Sequence, residues 1–311
     1  MESRKPYLAT LPGLILGCLV CCALWGSAFP CIKIGYALFG IPAHDSASQL
    51  LFAGLRFTLA GALVIVGMSA AQRRPLIPQA RDIKPIFVLS LFQTIGQYFF
   101  FYLGLSRASA MSSSIIEASA NFLAILFAAL AFHTEKLNTA KVLGCALGLA
   151  GVALVNLSGA DGTFGFTLDG EGFILASTVA GALSTCLIGI FSREHDGVLL
   201  AGWQFLVGGV VLTAIGFLMG GTLSPTEIAP AIALIIYMAL ISAVAYSLWS
   251  RLLAVNPVSR VSVFGFMNPV FGVVLSALLL GEGAGTSPVT VIVALLLVCG
   301  GIIIVNKPKK A

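Results

Sequence analysis

Charged residues are scarce in this chain. Only 9% of its 311 residues are Asp, Glu, Lys or Arg, against about 25% in soluble domains. Hydrophobic residues make up 59%, and the mean hydropathy is +1.04. A water-soluble globule needs more polar surface than this, so soluble enzymes and disordered proteins are excluded. The 17 Lys and Arg form no basic cluster, which excludes nucleic acid as a partner. The composition predicts an all-α polytopic membrane protein in contact with a lipid bilayer.

Motifs for catalysis, cofactors or metals are also missing from the sequence. There is no G-x-x-x-x-G-K-[ST] phosphate loop and no G-x-S-x-G nucleophile turn. His44, His133 and His195 stand far apart, and the seven cysteines lie in apolar segments without neighbouring acidic or histidine ligands. We therefore expect no catalytic residue, no cofactor and no metal site.

Long apolar stretches dominate the chain instead. Each is long enough for a membrane-spanning helix, and none alternates as a barrel strand would. The predicted spans are 12–38, 48–71, 85–106, 109–131, 139–158, 170–192, 197–220, 228–253, 257–281 and 286–306. Ten spans leave only short loops, so we expect no soluble domain.

The distribution of Lys and Arg predicts the orientation. If the N-terminus is cytoplasmic, 14 of the 17 Lys and Arg lie on the cytoplasmic side, Arg107 lies on the other side, and Lys33 and Arg56 lie within spans. Such a bias is typical of cytoplasmic loops. We expect a multi-pass protein with both termini in the cytoplasm.

Short motifs recur in the two halves of the chain. Residues 53–57 (Ala-Gly-Leu-Arg-Phe) resemble 201–205 (Ala-Gly-Trp-Gln-Phe). Asn121 and Glu135 are separated by fourteen residues, as are Asn268 and Glu282. The matches indicate an internal repeat, although apolar helices also resemble each other by chance.

The repeat divides the chain into residues 1–158 and 159–311, with five predicted spans in each part. Because five is odd, the second part enters the membrane with the opposite orientation. Inverted repeats of this kind are common in secondary transporters, where two bundles rock about a central site. The predicted fold is therefore ten transmembrane helices in two inverted-topology five-helix repeats.

Several motifs together resemble the EamA-type branch of the drug/metabolite transporter superfamily. They are Leu-Trp-Gly-Ser-Ala-Phe at 24–29 with Lys33, the pair Arg56-Phe57, and Asn268-Pro269 followed by Leu-Gly-Glu at 280–282. The resemblance implies ten helices in two inverted repeats. It also implies export of amino acids or other small metabolites across the inner (plasma) membrane of bacteria.

Three charged residues lie inside the predicted spans, and such residues are functional candidates. Lys33 stands near the outer end of span one, and Arg56 and Glu117 stand about eight residues, or roughly 12 Å, from the outer ends of spans two and four. They are predicted to converge. Arg56 or Lys33 then binds the anionic end of a substrate, and Glu117 balances the other cation. The alternative is that Lys33 reaches the interface while Arg56 and Glu117 form a structural pair.

Polar and aromatic residues at mid-membrane complete the predicted binding site. Asn121 shares one helix face with Glu117, and Asn268 is its repeat partner. Gln97, Trp25 and Tyr246 are further candidates for lining a pocket, although aromatic residues also face lipid.

Proline and glycine supply the remaining predictions. Pro30 and Pro269 lie well inside spans, where each removes a backbone hydrogen bond, so they are candidates for gating or for fixed bends. Gly144 and Gly148 form a G-x-x-x-G motif, which predicts close helix packing or a homodimer contact.

The predicted function is secondary transport of a small metabolite by alternating access. The alternatives are a membrane-embedded lipid-modifying enzyme, which needs a nucleophile or an acid–base pair at the interface, and a structural or receptor protein.

Overall fold

The computed structural model describes residues 6–105, 107–108, 110–158, 167–280 and 288–307. Every regular element in these ranges is helical. We number the helices α1 (Leu11–Leu38), α2 (Ser46–Gln72), α3 (Ala80–Leu105), α4 (110–131), α5 (Thr139–Ser158), α6 (Glu171–Phe191), α7 (Gly197–Leu218), α8 (Ile228–Val255), α9 (258–280) and α10 (Pro288–Asn306). Helix α3 contains the π-helix Ser90–Gly96, α4 ends in the π-helix Phe127–Ala131, and α9 contains the 3₁₀ turn Val263–Phe266.

Nine of these described helices are long and apolar enough to cross a membrane, and α5 carries a shorter apolar stretch, Thr139–Leu154. The chain is thus a multi-pass membrane protein, as its composition predicts. The predicted span ends at 106, 109, 281 and 286, and Glu282 of the repeat, lie outside the described residues.

The largest difference from the predicted boundaries is at the start of α3. The helix begins at Ala80, whereas hydropathy predicts 85. A side-chain cap explains the difference, because Asp82 Oδ2 accepts the backbone N–H of Gln79 at 2.8 Å. Hydropathy leaves this charged first turn out of the predicted span, but the turn is helical because its start is capped.

Carboxylate caps likewise fix the starts of α2 and α7. Asp45 Oδ1 accepts the N–H of Ser48 at 3.0 Å, and Asp196 Oδ1 accepts the N–H of Val198 at 2.9 Å. Each cap satisfies a donor that the first helical turn leaves open.

Glycines bring α2 and α7 into close contact. A Cβ atom at Gly61 of α2 would overlap the backbone of Leu206 in α7, and one at Gly209 of α7 would overlap the backbone of Thr58 in α2. Small residues at such crossings allow backbones to approach in a membrane.

The G-x-x-x-G motif of α5 is used in the same way. Gly144 packs against Gly301 of α10, and Gly148 packs against Phe266 of α9. Both glycines therefore face helices of the same chain, and a homodimer stays a prediction.

The remaining helices surround a central space. Helix α1 packs against α8 and α9, and α6 packs against α3 and α4. The middle of the bundle is therefore enclosed by helices from both halves of the chain.

Candidate functional site

A cavity of about 220 Å³ lies in the middle of the bundle, between α1, α2, α3, α4, α6, α8 and α9. Most of the predicted site residues lie in its walls: Trp25, Arg56, Gln97, Glu117, Asn121, Tyr246, Asn268 and Pro269. Lys33 is an exposed side chain of α1 and Pro30 is buried within α1, and neither lies in these walls.

Arg56 is the cation of the cavity. Its side chain is 4% exposed, and its guanidinium carbon lies 4.3 Å from the centre of the Phe57 ring and 5.9 Å from that of Tyr98. Its Nε has no hydrogen-bond partner among the described residues. A guanidinium is planar, and one that stacks on aromatic rings can still bind a carboxylate through the N–H groups at its edge.

Glu117 is the carboxylate of the cavity. No ion pair within 4.0 Å joins it or Arg56 to another charge in the described part of the chain. Both residues line the cavity together with Tyr102 and Tyr246. The cavity therefore holds one cation and one anion near the same tyrosines, with neither neutralised by a direct ion pair.

Four aromatic rings form a cluster at the centre. Phe57 stacks on Phe205 with ring centres 5.2 Å apart and an angle of 4°. Tyr98 packs on Phe57 at 4.4 Å, Tyr246 packs on Phe205 at 4.8 Å, and the two tyrosine hydroxyls are hydrogen-bonded at 3.2 Å. Each ring of the first half thus meets a ring of the second half.

Three further polar atoms in the walls lack partners among the described residues: Trp25 Nε1, the Tyr102 hydroxyl and Asn268 Oδ1. Trp25 packs edge-on against Tyr246 and Trp249 at 5.0 Å, while its Nε1–H is unpaired among the described residues, as is the Oδ1 of Asn268. Buried polar groups are nearly always hydrogen-bonded in folded proteins. An unpaired donor and an unpaired acceptor are expected where a ligand supplies the missing bonds.

Asn121, by contrast, is already engaged. Its Nδ2 donates to the carbonyl of Ala118 at 3.2 Å, and its amide packs directly on Gly265, where a Cβ atom would overlap it. It therefore joins α4 to α9 as well as lining the cavity. Pro269 follows Asn268 in the facing wall.

The sequence analysis missed several polar residues of the cavity. Ser184 and Thr185 of α6 and Ser242 of α8 line its walls. Their only sequence signal is that they are hydroxyl residues within apolar spans, and most such hydroxyls bond their own helix backbone.

The cavity residues lie in the middle of the helices and toward the end at which α1 stops. At the opposite end, where α1 begins and α10 stops, polar bonds join the two halves; we call this the terminal end. His195 Nδ1 lies 2.6 Å from Asp82 Oδ1. Glu135 accepts hydrogen bonds from the backbone N–H of Ser259 at 3.1 Å and from its hydroxyl, and pairs with Lys141 at 2.6 Å.

Known proteins resemble this chain over nearly its whole length. The "Uncharacterized transporter YvbV" of Bacillus subtilis (strain 168) is 26% identical over 99% of this chain and 95% of that protein. A "Probable amino-acid metabolite efflux pump" of Salmonella typhimurium is 26% identical over 85% of this chain and 86% of its own length. A "Probable terminal-alkyne amino-acid exporter" of Streptantibioticus cattleyicolor is 25% identical over 91% of this chain and 90% of its own length.

The fold is found in a solved structure as well. A crystal structure of another chain matches with a TM-score of 0.75 at 20% identity, over 94% of this chain and 95% of that one. The sequence profile of the "EamA-like transporter family" matches residues 11–157 and again 168–307. The two matches cover both halves of the molecule, and this chain belongs to the EamA-like transporter family.

Proposed function

We propose that this protein exports small zwitterionic metabolites, amino acids or related compounds, by alternating access. The observation that carries the proposal is the pair of charges in the central cavity, Arg56 and Glu117, neither of which has an ion-pair partner among the described residues. Charges within a membrane are costly and are retained where they bind a substrate or an ion. Two relatives are named a probable amino-acid exporter and a probable amino-acid metabolite efflux pump, which agrees with this substrate class.

A zwitterion matches the charge pattern better than a simple anion or cation. The guanidinium of Arg56 is suited to a carboxylate, and Glu117 is suited to an ammonium group. A substrate with only one charge would leave the other protein charge buried and uncompensated, which is strongly unfavourable. The cavity is also smaller than the roughly 300–1,000 Å³ of typical drug-sized sites, which favours a small metabolite.

The internal repeat supplies the mechanical basis for transport. Phe57 and Phe205 are separated by the same number of residues as Tyr98 and Tyr246, and these pairs meet at the centre of the bundle. The pairing of helices is reciprocal too, since α1 packs on α8 and α9 as α6 packs on α3 and α4. Both observations support two five-helix repeats, 1–158 and 159–311, related by a twofold pseudo-axis through the aromatic cluster.

The terminal end of the bundle is assigned to the cytoplasmic side. We place the protein in the inner membrane with both termini in the cytoplasm, because of the distribution of Lys and Arg. The terminal end, where the Asp82–His195 and Glu135–Ser259 contacts join the two halves, is then cytoplasmic. Alternating access requires these contacts to break when the cavity opens to the cytoplasm. A reporter fused to the C-terminus should be active in the cytoplasm, and activity on the outer side would contradict the orientation.

Reconstituted protein tests the substrate class. In proteoliposomes loaded with unlabelled alanine, we expect saturable counterflow of labelled alanine. Zwitterionic amino acids should compete at least tenfold better than ethylamine, which lacks the carboxylate, or propionate, which lacks the amine. Equal competition by the three classes would contradict the proposal. The family assignment favours this function over a lipid-modifying enzyme or a receptor.

A further inference from the structure

Two glutamines lie in the wall of the cavity, and a site that binds only the two charged groups of a substrate does not require them. Gln93 is 3% exposed and lines the cavity together with Gln97 of the same helix. The side chain of neither makes a hydrogen bond to any described residue. A primary amide offers two donors and an acceptor with two lone pairs, and leaving such a group buried and unpaired is unfavourable.

The π-helix in α3 positions both amides. In the wider turn of Ser90–Gly96, Gln93 faces the cavity, and Gln97 follows directly. Thr94 instead faces α7, where its hydroxyl donates to Gln204 Oε1 at 2.7 Å. Short π-helical segments of this kind occur frequently at functional sites.

Two hydroxyls of α6 lie in the same cavity. Ser184 and Thr185 both donate to the carbonyl of Gly181, at 2.8 and 3.0 Å, so the lone pairs of their oxygens remain available as acceptors. A Cβ atom on Gly181 would lie 3.1 Å from the amide of Gln97. The absence of a side chain at Gly181 therefore lets the amide lie against the turn that carries both hydroxyls.

Packing alone does not account for this arrangement. Glutamines inside membrane helices commonly bond a neighbouring helix, as Gln204 of α7 does with Thr94. Gln93 and Gln97 face the cavity without such a bond. Their unused donors and acceptors are therefore directed toward a ligand.

We propose that Gln93, Gln97, Ser184 and Thr185 form a hydrogen-bonding subsite for an uncharged polar side group of the substrate. The subsite selects hydroxyl- or amide-bearing substrates over hydrocarbon analogues of the same shape. The proposal rests on the proposed function, in which Arg56 and Glu117 hold the charged groups of the substrate. A hydrocarbon side group would leave the buried amides unpaired, and sites built to bond a substrate hydroxyl reject analogues that lack it.

Threonine and valine test the subsite because they have the same shape and differ in one hydroxyl. As competitors of alanine counterflow in proteoliposomes, threonine should be at least tenfold more effective than valine with the wild-type protein. In the double variant Gln93→Leu/Gln97→Leu this preference should disappear, with competition by valine unchanged or stronger. The control Gln72→Leu makes the same change outside the cavity and should keep the preference.

Thermal unfolding of the ligand-free protein separates recognition from packing. The double variant should unfold at the wild-type temperature or above, because unpaired amides are replaced by apolar groups. A lower unfolding temperature together with equal losses of threonine and valine competition would overturn the subsite. Equal competition by threonine and valine in the wild-type protein would also overturn it while leaving the proposed function intact. Failure of every amino acid to compete would overturn both.

Discussion

Replacement of Arg56 by glutamine should weaken substrate binding without weakening the fold. Glutamine stands at the corresponding position of the proposed second repeat, Gln204, where it is fully buried. Hydrogen bonds to a charged partner contribute about 1.5–3 kcal/mol each, and each 1.4 kcal/mol is a tenfold change in affinity. Loss of one or two such bonds to a substrate carboxylate predicts that Arg56→Gln binds amino acids about 10- to 10,000-fold more weakly.

The stability of the empty protein should move in the other direction. Arg56 is buried without a carboxylate partner among the described residues, so its removal relieves an uncompensated charge. Titration of the purified variant with alanine measures affinity, and thermal unfolding without ligand measures stability. Arg107→Gln is the control, because the Arg107–Asp169 pair at 3.6 Å is largely exposed and such pairs contribute about 0–1 kcal/mol. Unchanged affinity, or a marked loss of stability in Arg56→Gln, would refute the reasoning.

Three further variants test other parts of the structure. Glu117→Gln should reduce competition by amino acids at least tenfold but leave competition by propionate unchanged or stronger, because only the site for the ammonium group is lost. Gly61→Val should lower the yield of folded protein in size-exclusion chromatography, since its side chain overlaps α7 at a cost of about 1–3 kcal/mol or more; Gly67→Val, in open space on the same helix, should not. Asp82→Ala should lengthen the distance between spin labels on the two loops that flank the Asp82–His195 pair, and an unchanged distance would show that this pair does not hold the terminal end closed.

Helix positions could be predicted from the sequence because each span is a continuous apolar run, and the length of such a run indicates whether it can cross a membrane. The shared cavity of Arg56 and Glu117 could also be anticipated. Both residues lie at similar depth in their spans, and charges in a membrane turn toward the protein interior.

The rotation of each helix about its axis could not be predicted. Helix α1 is apolar on all sides, so no amphipathic pattern indicates which face meets lipid. Trp25 and Lys33 are eight residues apart, which turns them by roughly 80° at 3.6 residues per turn. Trp25 lines the cavity, whereas Lys33 is exposed outside its walls.

Irregular turns within helices, and contacts between residues far apart in the chain, could not be predicted from the sequence either. The π-helix that positions Gln93 inserts an irregular turn into an otherwise continuous apolar run. The contact between Asp82 and His195 joins residues 113 positions apart in the chain. Only the packing of α3 against the second half brings these two side chains together.

The unpaired charges should also make the conformational change of the transporter depend on bound substrate. Arg56 is only 4% exposed, and the part of it that remains accessible faces, with Glu117, a cavity that can hold water. Alternating access passes through an occluded state that excludes this water, and desolvation of an unpaired charge costs several kcal/mol per ion. A zwitterionic substrate supplies a counter-charge to each, so the loaded protein should cross this state more easily than the empty one.

Exchange should therefore be faster than net efflux, because exchange never requires the empty protein to reorient. A difference of only 1.4 kcal/mol between the two barriers is tenfold, so we expect alanine counterflow to exceed net alanine efflux from the same proteoliposomes by at least tenfold. The double variant Arg56→Gln/Glu117→Gln removes both charges and should narrow this ratio, even though its affinity for alanine is lower. Equal rates of exchange and net efflux in the wild-type protein would show that the empty cavity closes without an electrostatic penalty, as it would if Arg56 and Glu117 paired with each other during occlusion.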